Sequence, residues 1–538
     1  MLQFPVPLSP VFLYAETHFR FFPGFPSLLF KREPEIVFDL PGRCDPGRNL
    51  PVFLIVNDVH RFSAEVTGVM VTVSQKGIRP LVFEFSFPQV CLVNHPLQTQ
   101  AKAYVFSIPR AELPNGQVYV NCKASVANGK RSWEVLNDNF FSSSKLPFGC
   151  YLADEDLPGS DRCSYGDLHV HSQYSQSHVE FGPPVSVINL VADTCGLDFF
   201  AITDHSYDLC CDMTDYLKTD SALSRWQSLS SETARLDNSK PIMILGEEVS
   251  TLNGRGKAVH LCAIGIKSFV PGSIDGARAN KLPTLQLKQV IDEVHTQGGL
   301  AVAAHPGSRF GVLQQILLRR GNWGQKDLAN NLDAVQAVNN GFGKSWQVAK
   351  RLWINELLRG RRLPIVGGND SHGDFNRYRY ISVPFLAISE NFDRHLSSVR
   401  TGIYRKAKSI DDVILSIKQG EAFVTSGPYL SITPTESGRN RDLSLQTIPI
   451  GCSSVTVRAI GNCEFGGVKN LRVFAGRVGE NAESLLFSDN YNCENQITQE
   501  IPLSGKPPQG YLRAEATCLK NGGATTFAAT SPVYFGTK

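Results

Sequence analysis

One pattern in the middle of the chain restricts its fold more than any other: a helical stretch, a glycine stop, then a short and wholly apolar run. Val185–Thr194 has helical spacing, ends at Gly196 and leads into FFAIT at 199–203. Leu285–His295 ends at Gly298 and Gly299 and leads into LAVAA at 300–304. Trp346–Arg359 stops at Gly360 before LPIVG at 363–367, and a last helical stretch, Ile410–Lys418, ends at Gly420. Apolar runs too continuous to have a wet face, alternating with helices, predict parallel β/α units with the sheet covered on both sides.

On either side the rhythm is different. Residues from about 35 to 145 hold β-type runs, such as 51–57, 65–73, 81–87 and 117–125, separated by turn signals that include Lys76-Gly77, Pro114-Asn115-Gly116 and Asn128-Gly129. Alternating runs return after Gly427-Pro428, at 453–460, 470–475, 510–516 and 532–535. This spacing predicts two β-sandwiches, an Ig-like one over 1–150 and another over 428–538, flanking an α/β unit over 160–425. The polar stretch 154–160, with Pro158 and Gly159, reads as a linker.

Of the twelve histidines, His169, His171, His178, His205, His260, His295, His305 and His372 fall in the α/β region. His169 and His171 stand two apart in DLHVH, so on a strand both imidazoles face the same side. His205 closes FFAITDH, Glu248 closes IMILGEE, His260 opens HLCAI, and His305 closes LAVAAH. Asp370 and His372 follow IVGGN as another pair two apart. Side chains at the C-terminal ends of parallel strands converge on one pocket. Histidines and carboxylates without cysteine suit a zinc, manganese or iron site with chemistry to do, rather than a structural zinc site. Any one of these histidines by itself reads as a packed core residue; it is the assembled set that points to metal. His18, His60, His95, His295 and His395 stay outside it.

The ordered series D-L-H-V-H, T-D-H, G-x-E, an internal His, A-H-P and D-x-H resembles the PHP (polymerase and histidinol phosphatase) metallohydrolases over about 165–425. The resemblance implies a distorted (β/α)7 barrel holding two or three divalent ions. It implies as ligands His169, His171, His205, Glu248, His260, His305, Asp370 and His372, with Glu248 rather than Glu247 two residues after Gly246. Asp204, Glu248 and Asp370 become the candidate catalytic carboxylates, Asp167 and Asp204 also serving to orient neighbouring imidazoles. Where many members carry an aspartate for a third ion this chain has Gln176, with His178 two positions on as the alternative ligand. The stretches at 244–251, 338–341 and 420–428 are similar to the carbaryl-hydrolase-like branch of the family.

Two divalent ions, two carboxylates and one hydroxide leave about +1, and a third ion about +3, which favours an anionic small-molecule substrate. Arg309, Lys344 and Arg377 follow strand ends and are the candidates to hold it. A phosphatase or phosphodiesterase is the first expectation; the alternatives are an amide, ester or carbamate hydrolase, or a binding module with a vestigial barrel. A formal net charge of +3 over 538 residues gives no sign of nucleic-acid or membrane binding, and the sequence is silent on oligomeric state. Thirteen cysteines without a C-x-x-C pair read as buried thiols in a reducing compartment, so the cytoplasm is the expected location.

Overall fold

The computed structural model describes residues 33–535 apart from 58, 60–61, 63, 87–90, 94–100, 140–144, 176–181, 214–217, 237–239, 273–284, 313–314, 316–318, 374, 377–379, 384–385, 390–394, 436–446, 450 and 504–509. It is a strand-rich α/β molecule.

The first β region holds two sheets. One runs in the order Glu35–Asp39, Leu50–Asn57, Ala101–Ile108, Cys91–Val93; the other runs Arg43–Cys44, Phe148–Leu152, Gly116–Ala127, Glu65–Ser74, Leu81–Ser86. Gly116–Ala127 alternates strictly, with Val118, Val120, Cys122, Ala124 and Val126 turned inward. They meet Leu50, Val52, Leu54 and Val56 of the first sheet in one core, as two packed sheets require. Leu50–Asn57 shows no alternation because it is covered twice: Phe53 and Ile55 point the other way, into the core of the central region. Stretch 154–160 is a packed connection rather than a loose linker, since Leu157 is buried in that same central core.

The central sheet places its strands in sequence order: β1 (Ser164–His171), β2 (Phe199–Ile202), β3 (Ile242–Leu252), β4 (Ala258–Ile264), β5 (Leu300–Ala303), β6 (Ala334–Asn339) and β7 (Ile365–Gly368). Helices α1 (Val185–Thr194), α2 (Ser224–Arg235), α3 (Leu287–Thr296) and α4 (Lys344–Leu358) occupy the connections between strands, and α5 (Ile410–Lys418) follows β7. The expected uniform parallel alternation fails at one place. β4 is antiparallel to both β3 and β5, while the other neighbours are parallel. The connection from Leu252 to Ala258 is too short for a crossover. It is a turn in which the Asn253 side chain accepts from the Arg255 and Lys257 amides at 2.9 and 3.0 Å, with Gly256 at φ +68°.

The sheet curls until its ends meet along β1. Ser371–His372, just past β7, pairs in parallel with Val170–His171. The other end of β1, at Ser164–Gly166, pairs instead with Arg400–Ile403. From there hydrogen bonding runs on through Ala422–Thr425 to Thr525–Thr530, so the central sheet and the C-terminal β region are continuous. That region packs Tyr429–Pro434, Ser454–Ile460 and Gln496–Pro502 against the strands flanking Gly467–Arg477 over a core of its own. Among the described residues no helix is long and apolar enough to cross a membrane.

Candidate metal centre

β1, buried along its whole length, turns His169 and His171 to the inside of the curl. The chain reverses sharply after β7, and Asp370 takes the left-handed conformation at φ +53°, strained for a residue other than glycine. Its amide donates to the His169 carbonyl at 2.8 Å, which sets the carboxylate opposite the two imidazoles. Gly368 makes this approach possible, since a Cβ there would lie 2.7 Å from that of His169.

The result is a cage of four buried donors: His169 Nε2, His171 Nε2, Glu248 Oε2 and Asp370 Oδ1. The two nitrogens are 3.2 Å apart, and each lies 3.3–3.4 Å from each carboxylate oxygen. Separations of 3.2–3.4 Å are those between donors about 2.0 Å from a common ion in tetrahedral coordination, the distance of a zinc–nitrogen or zinc–oxygen bond. Glu248 Oε2 and Asp370 Oδ1 are also buried without a hydrogen-bond partner among the described residues. Buried carboxylate oxygens are seldom left so. The donor set therefore fits a divalent ion.

Two further groups overlap this one, His205 with Glu248 and His260, and His171 with His205 and His372. Glu248 is the hub. Its Oε2 lies 2.9 Å from His205 Nδ1, and its Oε1 lies 2.6 Å from His260 Nδ1 and 2.9 Å from His305 Nε2. His372 Nε2 stands 3.4 Å from His205 Nε2, and its Nδ1–H donates to the Asp370 carbonyl at 3.0 Å. The structure thus brings together all eight residues proposed as ligands; His178, the alternative ligand, and Gln176 lie outside the described residues.

Burial opposes charge at these groups, but mutual attraction outweighs it. Glu248, ringed by His260, His169 and His205, is held well below the usual carboxylate range, and so is Asp370 beside His169 and His171. His171, against Asp370 and Glu248, is pushed up to about 9. Protons thus compete with metal for the same lone pairs.

Neighbours fix the tautomers. Asp204 accepts from the Ser175 hydroxyl at 2.7 Å, which leaves that oxygen to accept from His171 Nδ1–H at 3.0 Å. The remaining bonds to Asp204 come from the Ser172 amide and hydroxyl at 2.7 and 2.6 Å. The Asp204 carboxylate thus holds the loop after β1 and orients the His171 imidazole through Ser175. Asp167 orients no imidazole: it accepts from the backbone of His169, Asn369 and Ser397 and from the Asn369 side chain. Glu247 points away from the cage, taking the Ser206 hydroxyl and the Val270 amide at 2.7 and 2.8 Å, and burial raises it to about 8.

Sequence reasoning missed Gln336. Its Oε1 accepts from His169 Nδ1–H at 2.9 Å and from the His305 amide at 3.3 Å, and its Nε2 donates to Asn339, whose amide reaches Asp370 Oδ2 at 3.4 Å. A neutral amide inside an apolar strand carries no spacing signal; its polarity within β6 is the one available clue.

Of the proposed substrate cations, Arg309 is turned onto the carbonyls of Pro306, Ser308 and Trp323, Lys344 is exposed at the start of α4, and Arg377 lies outside the described residues. A cation not anticipated, the buried Arg320, lines a narrow cleft together with the candidate ligands His260 and His305 and with Phe310 and Trp323.

Twelve cysteines are free thiols, nine of them buried, in keeping with the reading as packed side chains.

No family model matches the chain, and no curated protein matches it. Among solved structures it is similar to Bacteroides uniformis β-glucuronidase 3 at 9% identity and a TM-score of 0.16, over 93% of this chain and 64% of that one. It is similar to a β-D-mannosidase from Dictyoglomus thermophilum at 10% identity and a TM-score of 0.19, over 93% of this chain and 66% of that one. Likenesses this faint carry no argument about fold or activity.

Proposed function

We propose that this chain is a metal-dependent hydrolase of the PHP type, acting on phosphate esters of small molecules in the cytoplasm. The observation that carries the reading is the cage of His169, His171, Glu248 and Asp370, in which two buried carboxylate oxygens have no hydrogen-bond partner among the described residues. The ordered strands β1–β7 and the return of the chain to β1 support a distorted (β/α)7 barrel spanning 160–425 between β-sandwiches at 1–150 and 428–538.

Divalent ions held here would supply hydroxide near neutral pH and polarise the substrate's oxygen. The cage and its two overlapping groups have donors for two or three such ions, with zinc, manganese or iron suited to imidazole and carboxylate together. Glu248 spans the groups and holds them in register. Gln336 and Ser175 fix His169 and His171 as Nε2 donors. Asp167 and Asp204 brace the loops on which the ligands sit. Arg320, beside His260 and His305, is placed to receive an anionic oxygen.

One observation favours the second reading, an amide, ester or carbamate hydrolase. Arg309 is engaged with backbone carbonyls, so one of the expected phosphate clamps is missing. A panel of aryl phosphate, phosphodiester, carboxylic ester and carbamate substrates decides between them. The phosphoesterase reading expects turnover of a phosphate substrate, with Arg320→Met raising KM at least tenfold; turnover confined to esters or carbamates, indifferent to Arg320, overturns it.

A further inference from the structure

We infer that the cavity between the loop after β6, the first turns of α4 and the C-terminal sheet is a second small-molecule site, built for one pyranose-sized ring that carries a single anionic group. It stands apart from the metal centre and does not rest on the hydrolase reading. The cavity measures about 510 Å³. Small-molecule sites run from about 300 to 1,000 Å³.

Its lining combines two kinds of surface. One is aromatic: Phe342 and Phe527 lie with ring centroids 4.6 Å apart, and Trp346 stands 5.6 Å from Phe342 and 6.1 Å from Phe527. Such a surface takes the C–H face of a ring. Beside Phe527 on the same sheet stand Thr517, its cross-strand partner, and Thr525, and Ser398 and Gln347 also line the cavity. These suit a hydroxylated ring better than a hydrocarbon one.

Charge supplies the third element. Lys350, Arg472 and Arg513 surround two carboxylates. Glu515 sits 2.5 Å from Arg513, 3.0 Å from Lys350 and 3.8 Å from Arg472, while Glu483 takes Arg513 at 2.6 Å. Three cations against two carboxylates leave one positive charge in excess. Lys350, Arg472 and Glu515 line the cavity itself. Arg472 has the weakest hold on Glu515, and its Nε is buried with no hydrogen-bond partner among the described residues. Asn340 Oδ1, also in the lining, is likewise buried without one among the described residues. An unmet donor and an unmet acceptor beside an aromatic platform and an excess positive charge are the parts of a site for a ring-shaped monoanion.

The test is calorimetric titration of the full chain with glucuronate, glucose 6-phosphate and neutral glucose, with and without prior removal of metal by chelation. At least one of the acids is expected to bind one-to-one, more tightly than glucose, in both metal states; which acid binds tells a carboxylate ligand from a phosphate one. Arg472→Gln, at a half-exposed position, should weaken that binding at least tenfold without changing metal content or melting temperature. Phe527→Leu should weaken it also, through loss of the ring face. The inference is overturned if neither acid exceeds glucose, if binding disappears when metal is removed, or if Arg472→Gln weakens it less than tenfold.

Discussion

Replacing Gln336 by leucine removes the one neutral side chain on which the geometry of the metal cage most depends. Gln336 Oε1 accepts from His169 Nδ1–H at 2.9 Å and from the His305 amide at 3.3 Å, so a single atom steadies two ligands. In the variant His169 Nδ1–H keeps only Cys262 Sγ, 3.5 Å away and a weak acceptor. A buried donor left unmet costs about 1–3 kcal/mol. That cost falls on the tautomer with a bare Nε2, the form that binds metal. At about 1.4 kcal/mol per factor of ten, divalent-ion affinity should drop roughly 10- to 100-fold, the range found when partners of metal-bound histidines are removed. Leucine is close to glutamine in volume, so the core between β1, β5 and β6 should stay intact. Zinc is titrated into chelated wild-type and variant protein against a fluorescent chelator, with thermal melts to verify folding. A well-folded Gln336→Leu that binds zinc within threefold of wild type would refute the claim that this amide holds His169.

Glu247 gives a pH prediction. Its pKa is raised in the folded state to about 8 from an ordinary value of 4.5, so the folded protein holds a proton that the unfolded chain has released. Stability must therefore fall as pH rises from about 4.5 through about 8, by on the order of 5 kcal/mol. Asp167, raised to about 6, adds a loss of the same sign below pH 6. Glu247→Gln keeps an acceptor for the Val270 amide and has no proton to lose, so melts of chelated protein should show the variant gaining on wild type from pH 5 to 8; parallel curves would contradict this. Gly368→Ala places a methyl 2.7 Å from His169 Cβ and 3.0 Å from His169 N. It should cost about 1–3 kcal/mol and most of the metal affinity, and an alanine variant with wild-type melting and metal binding would show that the approach of β7 to β1 is looser than described.

The clustered histidines and carboxylates were legible in the sequence because strand ends are the one place where a polar residue interrupts an apolar run. The i, i+2 spacing of His169 with His171 and of Asp370 with His372 then said which residues share a side. The direction of β4 was not deduced, although the sequence carried the signal: Asn253-Gly254 between two apolar runs is a hairpin turn, and the connection is too short for a crossover. Leu50–Asn57 reads as an ordinary sandwich strand until the structure shows its second face packed on the central region, and one apolar run looks the same whether one or two partners cover it. Gln336, Ser175 and Arg320 escaped notice for a different reason. Their roles depend on what lies across the sheet, and neither spacing nor composition encodes that. Asp167 and Asp204 were correctly placed beside the ligands, but their work is on backbone and hydroxyl groups, which only coordinates reveal.

Elemental analysis of the protein, purified from metal-supplemented cells and dialysed, tests the central claim most directly when wild type is measured beside Glu248→Ala. Glu248 touches His205, His260 and His305 and stands within 3.4 Å of His169 and His171, so every overlapping donor group but one runs through it. The account predicts two or more equivalents of zinc, manganese or iron per wild-type chain, and less than one equivalent in a folded Glu248→Ala protein. Wild-type protein with no stoichiometric metal, or a variant that keeps its full complement, would contradict it.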